Sequence, residues 1–147
     1  MSNIIWKVKS FEEISTSELY EIIKARIDVF EQNCPYPDLD NYDKKALHLW
    51  AEKDHHILAY CRIFGKEIKY TECSIGRVLT TDEGRGKSLG KQMLQYAVEI
   101  IENRFCTSEI RISGQDYLLP FYSYFGFEDT GKKYLEDNIP HTEMFRK

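Results

Sequence analysis

The chain has no surplus of positive charge. Its 20 Lys and Arg residues are outnumbered by 24 Asp and Glu, for a formal net charge of −4. It therefore lacks the electrostatic footprint of a nucleic-acid binder, and any anion it holds must be captured locally. Cysteines are few, and Cys34, Cys61, Cys73 and Cys106 form no CxxC pair. Cys61 and Cys73 fall in apolar, strand-like runs, which points to reduced, buried thiols rather than a disulfide. No apolar run approaches the ~18 residues that cross a membrane, and Met1 to Lys7 is too short and polar for a secretory signal. These absences predict a cytoplasmic protein with neither a nucleic-acid nor a membrane partner. Internal repeats, low-complexity stretches and linkers are missing too. The 147 residues, 42% hydrophobic and 14% aromatic, thus read as one domain, 1–147, with a real core.

What is present is organised around Ile75 to Gly90, an apolar strand followed by a glycine-rich turn and a helix. Gly84, Gly86 and Gly90 let backbone N–H groups crowd toward one point, because no Cβ blocks the necessary φ/ψ values. Unpaired donors and the dipole at the start of the helix favour an anion there, and Arg85 and Lys87 add positive charge. The turn is expected to hold a phosphate.

Upstream, Ile4 to Val8 reads as a strand. Ser15 and Glu18 form a capping box before apolar residues at helical spacing, so a helix runs to about Gln32. Cys34-Pro35-Tyr36-Pro37 ends it. Asp38, Asp40 and Asp43 lie in an acidic loop, either a solvated connector or a collar that attracts a cationic substrate. Leu47 to Glu52, Ile57 to Phe64 and Lys69 to Leu79 read as antiparallel strands with short connections. An amphipathic helix, Leu89 to about Asn103, and a strand, Glu109 to Ser113, complete a parallel crossover. Asp116 is expected to cap a short helix through Phe125 that Gly126 ends. Phe127 to Thr130 and His141 to Phe145 read as closing strands. The class is α/β (α+β).

Which phosphate the turn holds depends on its details. Gly86-Lys87-Ser88 suggests a P-loop, but that motif needs a glycine where Thr81 stands. A GxGxxG dinucleotide fingerprint fails because Leu89 occupies the third glycine's place. Arg85-Gly86-Lys87-Ser88-Leu89-Gly90 instead resembles the [QR]xxGx[GA] acyl-CoA loop of GNAT-type N-acetyltransferases. Phe121 to Phe127, Phe-Tyr-Ser-Tyr-Phe-Gly-Phe, is similar to that family's FYxxxGF segment. Further stretches resemble its ElaA-like branch: Val29 to Tyr36, Ala59 to Ile63, Ile75 to Val78 and Tyr134 to His141. The resemblance covers nearly the whole chain in order. One departure stands out, Ser88 where the loop has its first glycine or small residue.

The resemblance implies a mixed, mostly antiparallel central sheet, splayed at the acyl-CoA site and flanked by helices. It implies an acetyl-CoA-dependent N-acetyltransferase acting on the primary amine of a small molecule or peptide by direct transfer, without a metal. The alternative is an acyl-CoA-binding sensor or interaction module without transfer activity. Arg85, Gly86, Lys87, Ser88, Leu89 and Gly90 would wrap the pyrophosphate. Val78, Leu79 and Thr80 would pair with the pantetheine amides, and Gln115 and Phe121 would flank the arm. The N–H near Leu79 would stabilise the oxyanion. Tyr122 would protonate the departing thiolate. Candidates to take the amine's proton are Glu31, His48, His141, Glu136 and Asp137, and spacing singles out none. Arg62 and Arg77 lie inside apolar strands, where an unpaired charge is costly, so each is either paired internally or a clamp for a substrate carboxylate. The acceptor-side candidates are thus Glu31, Arg62, Arg77 and His141. Pairing of an exposed closing strand with a second copy would give a homodimer.

Overall fold

The computed structural model describes residues 3–31 and 38–147. The prolines expected to end the first helix, and Cys34, lie outside the described residues. Among the described residues seven strands form two antiparallel sheets, with three α-helices packed against them. Strand β1 (Ile5–Ser10) precedes α1 (Thr16–Arg26), whose start follows its capping box: the Glu18 N–H donates to Ser15 Oγ at 3.1 Å and the Ser15 N–H to Glu18 Oε1 at 2.9 Å. Beyond Arg26 the helix widens into a π turn, Ile27–Glu31, instead of continuing as α-helix. Such turns open the backbone and recur near functional sites.

β2 (Leu47–Lys53), β3 (His56–Phe64) and β4 (Ser74–Thr80) complete the first sheet, in the order β1-β2-β3-β4. β4 starts at Ser74 rather than at Lys69. The stretch before it exposes Lys66, Glu67 and Lys69, leaves Ile68 and Tyr70 only half-buried, and folds into a turn in which Glu67, at φ +66, donates its N–H to the Tyr70 carbonyl at 2.9 Å. Helix α2 (Leu89–Phe105) buries Leu89, Met93, Leu94, Ala97, Val98 and Ile101 in the core over β2, β3 and β4. β5 (Ile110–Gln115), α3 (Leu119–Tyr124), β6 (Glu128–Glu136) and β7 (Ile139–Arg146) follow, and the second sheet has the order β5-β7-β6.

Two expectations are corrected here. Asp116 does not cap α3. A 3-10 turn, Asp116–Leu118, precedes it, so the N-cap is Leu118, and the Asp116 carboxylate accepts from Thr142 Oγ1 of the last strand at 2.7 Å. The strand expected to end at Thr130 runs on to Glu136 and turns through Asp137 and Asn138, at φ +52 and +63. Two consecutive positive φ values suit the right-handed twist of a hairpin.

Among the described residues one backbone bridge joins the sheets. β4 and β5 run parallel through a single bridge, Cys73 to Ile110, where the Arg111 N–H donates to the Cys73 carbonyl at 2.9 Å. They share no longer ladder, and past this joint they diverge. The mixed, mostly antiparallel, splayed α+β architecture agrees with the expectation.

Candidate acyl-CoA site

The gap between β4 and β5 is a cavity of about 460 Å³. Ile75 to Thr80 form one wall, Ser113 and Gln115 the other, and Tyr117, Leu118, Phe121 and Tyr122 close a side. Arg85 and Gly90 stand at one end. Val29, Phe30 and Asp38 line it as well, together with Glu136, Asp137, Ile139 and His141 from the β6–β7 hairpin.

The glycine turn lies against β3. A Cβ on Gly84 would stand 2.1 Å from the Leu58 carbonyl oxygen, so only glycine allows this approach. Thr81, whose presence excludes a P-loop, anchors the same turn: its N–H donates to the Leu58 carbonyl at 3.0 Å and its Oγ1 to the Ile57 carbonyl at 2.9 Å. Gly86 (φ +77) and Ser88 (φ +57) take left-handed conformations. Ser88, the N-cap residue of α2, makes no side-chain capping bond, which leaves the N–H groups of the first turn open to an anion. Gly86, Lys87 and Ser88 are exposed in this loop, whereas the Leu89 side chain belongs to the core. Val78, Leu79, Thr80, Arg85, Gly90, Gln115, Phe121 and Tyr122 all line the cavity.

Tyr122 is 5% exposed and Tyr124 71%, so the two tyrosines of α3 face opposite environments. Burial pushes the Tyr122 phenol well above its ordinary value, with Cys61 and Tyr117 adding to the shift. Its ring sits over Gly114, where a Cβ would come within 3.1 Å of two ring carbons. Phe121 and Phe127 pack edge-on against it.

The acceptor-side candidates separate. His141 is buried at the cavity wall; its Nδ1–H donates to the Ile139 carbonyl at 2.7 Å, and Nε2 faces Glu136 Oε2 at 3.4 Å. Glu136 also accepts from Ser113 Oγ at 3.3 Å, and Ser113 in turn accepts from Tyr134. His48 is a core residue with both nitrogens engaged. Nε2–H donates to the Asp43 carbonyl at 2.9 Å, Nδ1 accepts from Tyr60 at 2.6 Å, and burial holds its pKa down. The side chain of Glu31 lies outside the described residues. Arg62 does not reach the cavity: it is 1% exposed and binds Asp40 and Asp43. Arg77 lines the cavity but is held by Asp38 and Asp40. The acidic collar is likewise not free, because Asp38, Asp40 and Asp43 each pair with two arginines.

Comparison with known proteins places this geometry. Residues 12–147 match the acetyltransferase (GNAT) domain family. The chain is 33% identical to Protein ElaA of Escherichia coli (strain K12) over 148 residues, 98% of this chain and 97% of that protein. The chain belongs to the GNAT acetyltransferase family. An acyl-CoA N-acyltransferase from Pseudomonas aeruginosa superposes with a TM-score of 0.92 at 33% identity, covering 99% of this chain and 100% of that one. The crystal structure of Escherichia coli ElaA gives 0.89 at 32% identity, with 99% and 100% covered.

The GNAT fold implies use of an acyl-CoA, and the open α2 terminus and the β4–β5 gap suit a pyrophosphate and an extended arm. Among the described residues no group of three His, Cys, Asp or Glu is placed to hold a metal ion, and no helix is long and apolar enough to cross a membrane. The sequence reading missed Ser113, Tyr117 and the apolar pair Val29 and Phe30 as cavity residues. For Val29 and Phe30 no periodicity signalled the π turn that carries them.

Proposed function

We propose that this GNAT protein transfers an acetyl group from acetyl-CoA to a primary amine directly, within a ternary complex, in the cytoplasm. The observation that carries the reading is the gap between β4 and β5, with an uncapped helix start near one end and a buried tyrosine in its wall. The Arg85 to Gly90 loop would take the pyrophosphate, and Val78, Leu79 and Thr80 would flank the pantetheine arm opposite Gln115. As the amine nitrogen attacks the thioester carbon, the backbone N–H near Leu79 would stabilise the developing oxyanion.

His141 is the group best arranged to take the amine's proton. Its Nδ1–H is committed to a carbonyl, which leaves Nε2 to accept, and Glu136 beside it would stabilise the imidazolium that forms. When the C–S bond breaks, the sulfur takes its proton from Tyr122. With Asp38, Asp40 and Asp43 neutralised by arginines, Glu136 and Asp137 are, among the described residues, the carboxylates outside that network on the cavity wall. They favour a cationic acceptor such as an alkylammonium.

Initial rates measured against both substrates test direct transfer. Intersecting double-reciprocal lines, with no acetyl adduct on the intact protein by mass spectrometry, are expected. Parallel lines with an acetylated protein would overturn it.

A further inference from the structure

Across the middle of the β3–β4 ladder, β4 carries one residue more than its partner. Between the pairs Tyr60–Leu79 and Arg62–Gly76, β3 advances two residues and β4 three. The surplus makes a bulge, and at it Arg77 has φ +51, in the left-handed region. For a residue with a Cβ this conformation is strained, because the Cβ crowds the following carbonyl oxygen. Such a conformation persists only where its surroundings over-determine it.

Here the surroundings act through the guanidinium. Arg77 Nε donates to Asp38 Oδ1 at 2.7 Å, and Nη2 to the Asp38 carbonyl at 2.8 Å. The other Asp38 oxygen accepts from Arg26 Nε at 2.6 Å, and Arg26 Nη1 donates to Asp43 at 2.7 Å. Asp43 also accepts from Arg62 at 2.9 Å, and Arg62 grips Asp40 with both Nη atoms at 2.8 and 2.6 Å. Asp40 closes the circuit to Arg77 Nη2 at 3.4 Å. Three cations and three anions therefore alternate in a closed ring, each between two of opposite sign. The ring joins the last residue of α1, the segment from Asp38 to Asp43, β3 and β4. Burial raises the Asp40 and Asp43 carboxyls, but Arg62 and Arg26 outweigh it and leave both below the ordinary range. Opening the ring would leave Arg26 or Arg62 as an uncompensated buried charge, so it resists opening.

We propose that this ionic ring is the positioning device of the donor strand. By clamping Arg77 to Asp38 it fixes the bulge, and with it the course of the Val78 and Leu79 backbone along the cavity. Its catalytic consequence rests on the acetyl transfer proposed above. Arg77 is a positioning residue in this account, and its charge is already committed to aspartates. A substrate carboxylate is therefore not its partner.

Two variants test the ring. Arg77→Gly keeps the left-handed conformation accessible and removes the tether, while Arg77→Lys keeps the charge but loses the planar two-point grip. Amide hydrogen exchange in the free protein is the readout independent of transfer. Residues 76–79 should exchange about tenfold faster in Arg77→Gly, and less so in Arg77→Lys, while α2 keeps its protection. In the transfer assay kcat should fall about 10- to 100-fold, with KM for acetyl-CoA changed less than about threefold. Combining Arg77→Gly with Asp38→Asn should cost no more than the worse single variant. Unchanged exchange along β4, or losses that multiply in the double variant, would overturn the proposal. Absence of transfer in the wild type as well would overturn the transfer reading alone, and the exchange result would still decide the ring.

Discussion

The Cys73 carbonyl accepts the Arg111 N–H at 2.9 Å, and this bond is the joint from which the two sheets part. The Arg111 side chain braces it. Nε and Nη2 bind both oxygens of Glu72 at 3.0 and 2.9 Å, and Nη1 binds Glu143 at 3.0 Å. Arg111→Leu should lower stability by about 1–2 kcal/mol, with charge-assisted bonds lost at a partly exposed site. It should also weaken acetyl-CoA binding, since the angle of the gap is no longer held. Thermal melts with and without acetyl-CoA check both effects. An unchanged melting temperature in both would mean that the backbone bond alone holds the joint.

Tyr122 should be separable from binding. Tyr122→Phe keeps the ring packed over Gly114 and removes only the hydroxyl, so kcat for acetyl transfer should fall at least about tenfold with acetyl-CoA affinity little changed. Because burial raises the Tyr122 phenol, it stays protonated through the alkaline range. The wild-type rate should therefore show no loss from Tyr122 ionisation below about pH 10. A rate equal to wild type in the Phe variant would remove the acid role.

Ser88 stands at φ +57 and ψ +25, and its side chain makes no capping bond. The position is left-handed, which favours the glycine that the resembled loop can carry there, and serine occupies it at some strain. Ser88→Gly should raise stability by up to about 1 kcal/mol, and the β-branched Ser88→Val should lower it by about 1–2 kcal/mol. Acetyl-CoA affinity, measured by calorimetry, should change less than about threefold in the glycine variant, since the backbone N–H remains. A larger loss would show that the serine hydroxyl itself binds phosphate.

The ring sets an acid limit. Asp40 and Asp43 have folded-state pKa values below their unfolded ones, so their stabilisation is present above the unfolded carboxylate value and is lost as pH falls through the folded one. Denaturant unfolding should give nearly constant stability from these groups between about pH 7 and pH 5, with a loss that sets in below about pH 4. Asp40→Asn should be less stable at neutral pH and should lose less on acidification. An equal acid loss in that variant would assign the effect to other carboxylates, such as Glu18, which Ser15, Lys7 and Lys9 hold at about 2 against the effect of its burial.

Elements carried by local patterns were legible in the chain. The capping box at Ser15, the amphipathic spacing of α2 and the glycine turn each name their own structure, and the GNAT-like segments led to the walls of the cavity. Features made by distant residues were not. Arg26, Arg62 and Arg77 are 36 and 15 residues apart along the chain, and nothing local marks them as sharing three aspartates. The acidic loop read equally well as a solvated connector or a substrate collar, because its partners arrive only with the fold. Asp137-Asn138 could have signalled a hairpin, since both residue types tolerate positive φ. Lys69 to Glu72 reads as strand because apolar Ile68 and Tyr70 flank charges, yet only from Cys73 onward does the chain enter the core.

The central claim is that an amine takes the acetyl group from acetyl-CoA in the gap between β4 and β5. The most direct test is to follow free CoA thiol and acetylated amine together, with a panel of alkylamines, diamines and amino acids. The account predicts release of CoA that depends on the amine and matches the acetylated product mole for mole, fastest with cationic amines that lack a carboxylate. Binding of acetyl-CoA with no amine-dependent release would contradict it and leave an acyl-CoA-binding module.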